Sequence, residues 1–185
     1  MLEPVGGEMK REMTESDVIE LLEECNRLQI PIWLDGGWAV DALLGEQTRR
    51  HQDLDIVVER NNVEILVDIL QQKGFRESPR DDSEPWNFVL GDEAGREVDF
   101  HVIEFDHSGN GLYGPLERGE RYEAAALQGS GMIQGRPVRC IAADWLLAYH
   151  TGYETDEQDW KDVAALCDKF GLPIPSEYSH FTKHS

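Results

Sequence analysis

Asp53 and Asp55 stand two residues apart in the run DLDIVV, and Gly37, with Gly36 before it, lies sixteen residues upstream of the first of them. Leu54, Ile56, Val57 and Val58 are strand formers. The two carboxylates therefore project from one face of an extended segment while Leu54 and Ile56 pack the other. Carboxylates about 4 Å apart repel by roughly 1 kcal/mol in water and about 4 kcal/mol at a half-buried site. A bound dication removes that cost. Oxygen donors with no Cys nearby select Mg²⁺ or Mn²⁺ over zinc, and Mg²⁺ is commonly held by one or two carboxylates together with substrate phosphates. A third acid, Asp99, interrupts the apolar strand VDFHVI, where Val98, Phe100 and Val102 share one face and Asp99, His101 and Ile103 the other. An acid so placed needs a partner. If the two strands are neighbours, Asp99 completes a triad with Asp53 and Asp55, and His101 sits beside it as a substrate contact. The alternatives are a hydrogen-bonded strand Asp and a satisfied structural His.

The glycine pair supplies a complementary function. Without Cβ atoms, Gly36 and Gly37 let the backbone approach a ligand, and the N-terminus of the helix that follows offers N–H groups to a phosphate. A lone Gly-Gly is most often a turn. Followed by Asp-x-Asp, it reads as half of a nucleotide-and-metal site. Arg49-Arg50-His51 stands just ahead of Asp53 in an otherwise acidic chain and can neutralise triphosphate charge, or it is a solvated turn. Glu154, Asp156, Glu157 and Asp159 cluster near His150 and Tyr153. They read either as a solvated helix start or as a grip on a cationic substrate.

The elements that must position these residues follow from periodicity. Thr14-Glu-Ser-Asp17 resembles a capping box with a shortened last member, and Val18, Leu21, Leu22, Cys25 and Leu28 give residues 15–29 an amphipathic helix. Pro31 to Leu34 is a short apolar run, and Trp38 to Leu44 a short helix ended by Gly45. Val63, Leu66, Val67 and Leu70 mark a helix ending at Gly74. Residues 86–90 and 96–104 read as a hairpin around Gly-Asp-Glu-Ala-Gly, with a second hairpin around Gln134-Gly135-Arg136. Residues 106–134 are glycine-rich, with a helical interval from Tyr122 to Leu127, and resemble an excursion over a substrate pocket. Two helices, 142–152 and 156–170, close the pattern. The order is that of an α/β (α+β) fold with a small C-terminal helical flank. The expected division is a leader (1–13), a core (14–107), an excursion with hairpin (108–141), C-terminal helices (142–175) and a tail (176–185).

The chain has 185 residues, 40% of them hydrophobic and five of them Trp, which suits a folded domain. Cys25, Cys140 and Cys167 are far apart and odd in number, as expected of free thiols in a reducing compartment. No apolar run approaches the roughly 20 residues of a membrane span, and the N-terminus lacks the apolar stretch of a signal peptide, so a cytoplasmic protein without a membrane partner is expected. With 37 acidic against 17 basic residues, the net charge of -20 opposes binding to nucleic acid and suits a cationic small molecule.

Gly36-Gly37, Asp53-x-Asp55 and Asp99 resemble the signature of the polymerase-β-type nucleotidyltransferase superfamily. More narrowly, WLDGGWAVDALLG, TRRHQDLDI, VDFHVI and HTGYETDEQDWKDVAAL are similar to the small lincosamide nucleotidyltransferases, with a weaker likeness to aminoglycoside 2''-adenylyltransferases. The likeness covers roughly residues 14–170 and implies the nucleotidyltransferase fold, a short mixed sheet backed by helices with a C-terminal helical layer. It implies an antibiotic-resistance enzyme that binds a nucleoside triphosphate, expected to be ATP, with Mg²⁺ at a two-metal site. A drug hydroxyl attacks the α-phosphorus and pyrophosphate leaves. Gly36, Gly37 and Arg49 would hold phosphates, Asp53 and Asp55 metals, and Asp99 would be a metal ligand or the base. His101, His150 and Tyr153 are candidate substrate contacts. An enzyme of this size can need a second copy to close its pocket, so a homodimer is a further expectation. The rival readings are an aminoglycoside enzyme, a minimal nucleotidyltransferase acting on a protein or RNA partner, and a noncatalytic nucleotide-binding module.

Overall fold

The structure is a computed structural model and describes residues 11–152 and 155–181. The chain begins with α1 (Glu15–Arg27), whose capping box closes despite the short Asp: Thr14 N–H donates to Asp17 Oδ2 at 2.9 Å, and Asp17 N–H to Thr14 Oγ1 at 3.2 Å. There follow β1 (Ile32–Leu34), α2 (Gly36–Leu44), β2 (Asp53–Glu59) and α3 (Arg60–Gln72). Next come β3 (Arg76–Glu77), β4 (Asn87–Gly91), β5 (Glu97–Phe105), β6 (Gly111–Tyr113) and β7 (Arg121–Tyr122). The hairpin β8 (Gly129–Ile133) and β9 (Arg136–Cys140) leads into α4 (Ala143–Tyr149) and α5 (Glu157–Phe170).

Among the described residues the nine strands form one mixed sheet in the order β3-β4-β5-β2-β1-β9-β8, with β6 continuing from the end of β5 to β7. The centre of the sheet is the parallel pair β2 and β5, in which Leu54 meets Val98, Asp55 meets Asp99 and Ile56 meets Phe100. β1 runs antiparallel to β2, and β4 antiparallel to β5. The apolar sides of β2 and β5 face α1 and α3: Leu54 and Val98 surround one small cavity with Leu21 and Leu70. α2 packs against β8, α4 and α5 beside the carboxylate-bearing face. The mixed sheet backed by helices, with the C-terminal pair as a second layer, is thus the architecture the resemblance implies.

Three segments depart from expectation. Met13 is buried and bridges to His51, so the last residue of the expected leader belongs to the core; residues 1–10 lie outside the described region. Tyr122 ends a strand rather than starting a helix, and the helical interval is a single 3₁₀ turn, Ala126–Gln128. The reason is packing: β7 pairs with β6, which extends the sheet under the cavity and leaves only Ala126 and Leu127 to turn into the core. The expected tail also packs, since Tyr178 is fully buried and its hydroxyl donates to the His150 carbonyl at 2.6 Å.

Candidate active site

The alternation of β2 and β5 puts Asp55 and Asp99 side by side on one face of the sheet, two residues from the Asp53–Glu97 pairing. At the mouth of β1, Asp35 caps α2 and accepts the Gly36 N–H at 2.9 Å. Gly36 has φ +52°, and a methyl built on it would lie 2.9 Å from Asp55 Cγ and closer still to Oδ2. Only glycine leaves room there for the Asp55 carboxylate. Gly37 does the same for the next layer: its Cβ would fall 2.6 Å from His51 Cε1 and press on Arg49 Nη2.

Three ligand-type atoms, one each from Asp55, Asp99 and His101, lie within 4.8 Å of one another. His101 Nε2 is 3.9 Å from Asp55 Oδ1 and 4.0 Å from Asp99 Oδ1. Asp99 Oδ1 and His101 Nε2 are buried without a hydrogen-bond partner. Burial raises the Asp99 carboxyl to about 6; His101 pulls it down, while the charges of Asp55 and Asp53 push it up. Asp53 reaches solvent at the end of the strand, yet desolvation and the neighbouring Asp55 push its carboxyl above the ordinary value too. For His101, burial alone would favour the neutral ring. Asp55, with Asp35 and Asp99, outweighs that and holds it at about 9. An unpartnered Asp99 oxygen beside the Asp55 carboxylate is what a dication would satisfy.

Behind this group runs a hydrogen-bonded chain. Tyr122 donates its one hydroxyl proton to Asp35 Oδ2 at 2.8 Å, and the Tyr122 hydroxyl oxygen faces His101 Nδ1 at 3.0 Å, so the ring nitrogen is the donor there. A cavity of about 1080 Å³ opens over the face, lined by Asp35, Gly36, Asp55, His101, Tyr113, Glu120, Tyr122, Glu123, Trp145, Tyr149 and His150 among others. That volume is at the upper end of the range usual for a ligand site, roughly 300–1000 Å³.

The structure brings together Gly36, Asp55, His101 and His150 as cavity lining, with Asp99 beside Asp55 and Gly37 in the first turn of α2. His150 Nδ1 contacts the Leu146 carbonyl at 2.8 Å and the ring still borders the cavity. Tyr153 and Glu154 lie outside the described residues. The basic trio divides: Arg50 pairs with Glu12 at 2.9 Å, His51 is buried 2.5 Å from Asp41 Oδ2, and Arg49 pairs with Asp162 at 3.1 Å while lying against Gly37 of α2. Sequence reasoning missed Asp35, Tyr113, Tyr122, Trp145 and Tyr149. Asp35 carried a signal, an N-cap residue type directly before the glycine pair; the aromatic wall comes from distant segments and carried none.

A family model described as aminoglycoside-2''-adenylyltransferase matches residues 17–166. The chain belongs to that family. Within this aminoglycoside-2''-adenylyltransferase family, a lincosamide resistance protein of Staphylococcus haemolyticus is 27% identical over 154 residues, 83% of this chain and 94% of that protein. A 2''-aminoglycoside nucleotidyltransferase of Escherichia coli is 30% identical over 156 residues, 76% of each chain. The crystal structure of a lincosamide antibiotic adenylyltransferase with lincomycin bound matches with a TM-score of 0.73 at 27% identity, covering 84% of this chain and 98% of that one. The structure of ANT(2'')-Ia with adenylyl-2''-tobramycin shares the fold, with a TM-score of 0.65 at 24% identity over 85% of this chain and 89% of that one. The family's members are nucleotidyltransferases, and this chain is a transferase of that type. Among the described residues no helix is long and apolar enough to cross a membrane.

Proposed function

We infer that the protein transfers a nucleoside monophosphate from a Mg²⁺-bound nucleoside triphosphate, with ATP the expected donor, to a hydroxyl of a lincosamide. The observation that carries this reading is the Asp55–Asp99 register pair, whose Asp55 lines a cavity of about 1080 Å³ beside the glycine turn. The residues fit a divalent cation, because the acceptor Asp99 Oδ1 is buried without a hydrogen-bond partner and lies with the Asp55 carboxylate in one group of ligand-type atoms. Asp53 and Asp55 would hold it. When bound, the cation supplies charge stabilisation to the attacking and leaving oxygens.

The chain's own residues do the rest. Gly36 and Gly37 let the triphosphate approach the first turn of α2, and Arg49 supplies positive charge beside Gly37. The drug lies against the aromatic wall of Tyr113, Tyr122, Trp145 and Tyr149, where His101 and His150 border the cavity. Its hydroxyl oxygen attacks the α-phosphorus in line. The new P–O bond forms as the bond to the β-phosphate oxygen breaks, and pyrophosphate departs. The hydroxyl proton passes to Asp99, whose carboxyl at about 6 is matched to proton acceptance near neutral pH. Most of the acceleration comes from holding the two reactants in register.

Lincosamide as acceptor is supported by the relative that shares 94% of its length with this chain and by the lincomycin-bound neighbour. An aminoglycoside is the second reading, favoured by the family description, the 30% identical relative, and the acids Glu120 and Glu123 in the cavity wall. Mass spectrometry of each drug incubated with the protein, Mg²⁺ and ATP separates them. Addition of one nucleotide to a lincosamide supports the first; addition to an aminoglycoside alone replaces it with the second.

A further inference from the structure

We propose that Asp162, on the C-terminal helix α5, is a positioning residue: it holds Arg49 by one edge of the guanidinium so that the other edge is presented to the triphosphate tail. This rests on the nucleotide reading of the site given above. Asp162 is 4% exposed and 113 residues from Arg49 in the chain. Its Oδ2 accepts from Arg49 Nη2 at 3.1 Å and from Nε at 3.4 Å, and its Oδ1 accepts from Gln158 Nε2 at 3.2 Å. Both carboxylate oxygens are engaged, and Arg49 is the cation that compensates the buried charge.

The guanidinium has five N–H donors in a rigid fork, and the Asp162 contacts use one side of it. Its remaining edge makes only a 3.5 Å contact from Nη1 to the Arg50 carbonyl, and the side chain keeps 29% of its surface exposed. It rests on Gly37, in the first turn of the helix whose cap Asp35 lines the cavity. Asp53 on the neighbouring strand end feels its charge. In a chain of net charge -20, a polyanionic nucleotide is repelled by the bulk of the surface. A cation locked in place at the helix N-terminus offsets that repulsion locally, and the ordering cost of a long Arg side chain is met on folding rather than on binding. The same contact ties α5 to the loop between α2 and β2 and thereby couples the C-terminal layer to the phosphate end of the site.

The test compares binding of two probes in the presence of Mg²⁺ by titration calorimetry: the nonreactive α,β-methylene analogue of ATP, and AMP. Asp162→Asn and Arg49→Ala are each expected to weaken the triphosphate analogue about tenfold, the scale of one charge-assisted hydrogen bond. AMP binding is expected to change less than about twofold in both. In the Arg49→Ala background, Asp162→Asn is expected to have no further effect, because its role runs through the arginine. Arg49→Lys keeps the charge opposite Asp162 and serves if the alanine variant does not fold; it is expected to fall between wild type and Asp162→Asn. In turnover, the loss appears in the nucleotide KM rather than in kcat. Additive losses, equal weakening of AMP and the analogue, or wild-type affinity in Asp162→Asn would overturn the assignment while leaving the nucleotide reading intact. Failure of the wild-type protein to bind the analogue would remove the nucleotide reading itself, and this assignment with it.

Discussion

Gly36→Ala is the perturbation most closely constrained by the geometry. The residue sits at φ +52°, where a side chain costs about 1–2 kcal/mol for an L-residue. The added methyl meets a second obstacle, 2.9 Å from Asp55 Cγ, where nonbonded carbons settle at about 3.5–4.0 Å. Relieving the contact with both Cγ and the nearer Oδ2 moves the carboxylate by roughly 1 Å. A displacement of that size in a catalytic group costs about 100-fold in rate. The backbone strain alone corresponds to a fall in melting temperature of about 2–8 °C for a domain of this length. The assay is pyrophosphate release at saturating nucleotide and drug, run beside a far-UV melt. We expect kcat to fall about 100-fold or more in a protein that still unfolds cooperatively. A folded Gly36→Ala variant with turnover within threefold of wild type would refute the claim that the glycine exists to seat Asp55.

Three further outcomes follow from the same contacts. In the metal-free protein the folded-state values of Asp99, about 6, and His101, about 9, both exceed their ordinary values. The folded state therefore retains protons that the unfolded chain has lost, and stability from these groups falls between about pH 4 and 6 and again between about 6.5 and 9. The rise in melting temperature on adding Mg²⁺ should accordingly be larger at pH 8.5 than at pH 5.5; an equal rise at both would show that the cation binds elsewhere. Tyr122→Phe strands Asp35 Oδ2 and His101 Nδ1 and should destabilise by about 1–3 kcal/mol in denaturant titration, with turnover reduced; unchanged stability would deny the hydrogen-bonded chain its role. His51→Ala leaves Asp41 buried with only Thr48 as partner and should cost about 3–5 kcal/mol, a loss visible as a lower denaturation midpoint.

The paired strand carboxylates were legible in the sequence because a strand's period of two is short and strict. DLD and VDFH each announce an acid on an otherwise apolar ribbon, and the two ribbons needed only to be neighbours. The helix bounds were legible for a similar reason, since Gly45 and Gly171 stand where α2 and α5 end. β6 and β7 were not, because strands of three and two residues in a glycine-rich stretch show no periodicity. They exist because β5 outruns β4 and offers a free edge at Ile103 to Phe105. The basic trio illustrates the other failure. Its three members look equivalent in sequence, yet the partners that sort them, Glu12, Asp41 and Asp162, lie at separations that no local pattern encodes.

The central claim is that paired strand carboxylates drive transfer of a nucleotide to a drug hydroxyl. A single-turnover reaction with ATP labelled at the α-phosphorus, lincomycin and Mg²⁺ tests it most directly, using wild type and Asp55→Asn. The account predicts that the label appears on the drug with wild type, that pyrophosphate leaves unlabelled in equal amount, and that the folded Asp55→Asn protein transfers none. Label released as free AMP, or transfer undiminished in Asp55→Asn, would contradict it.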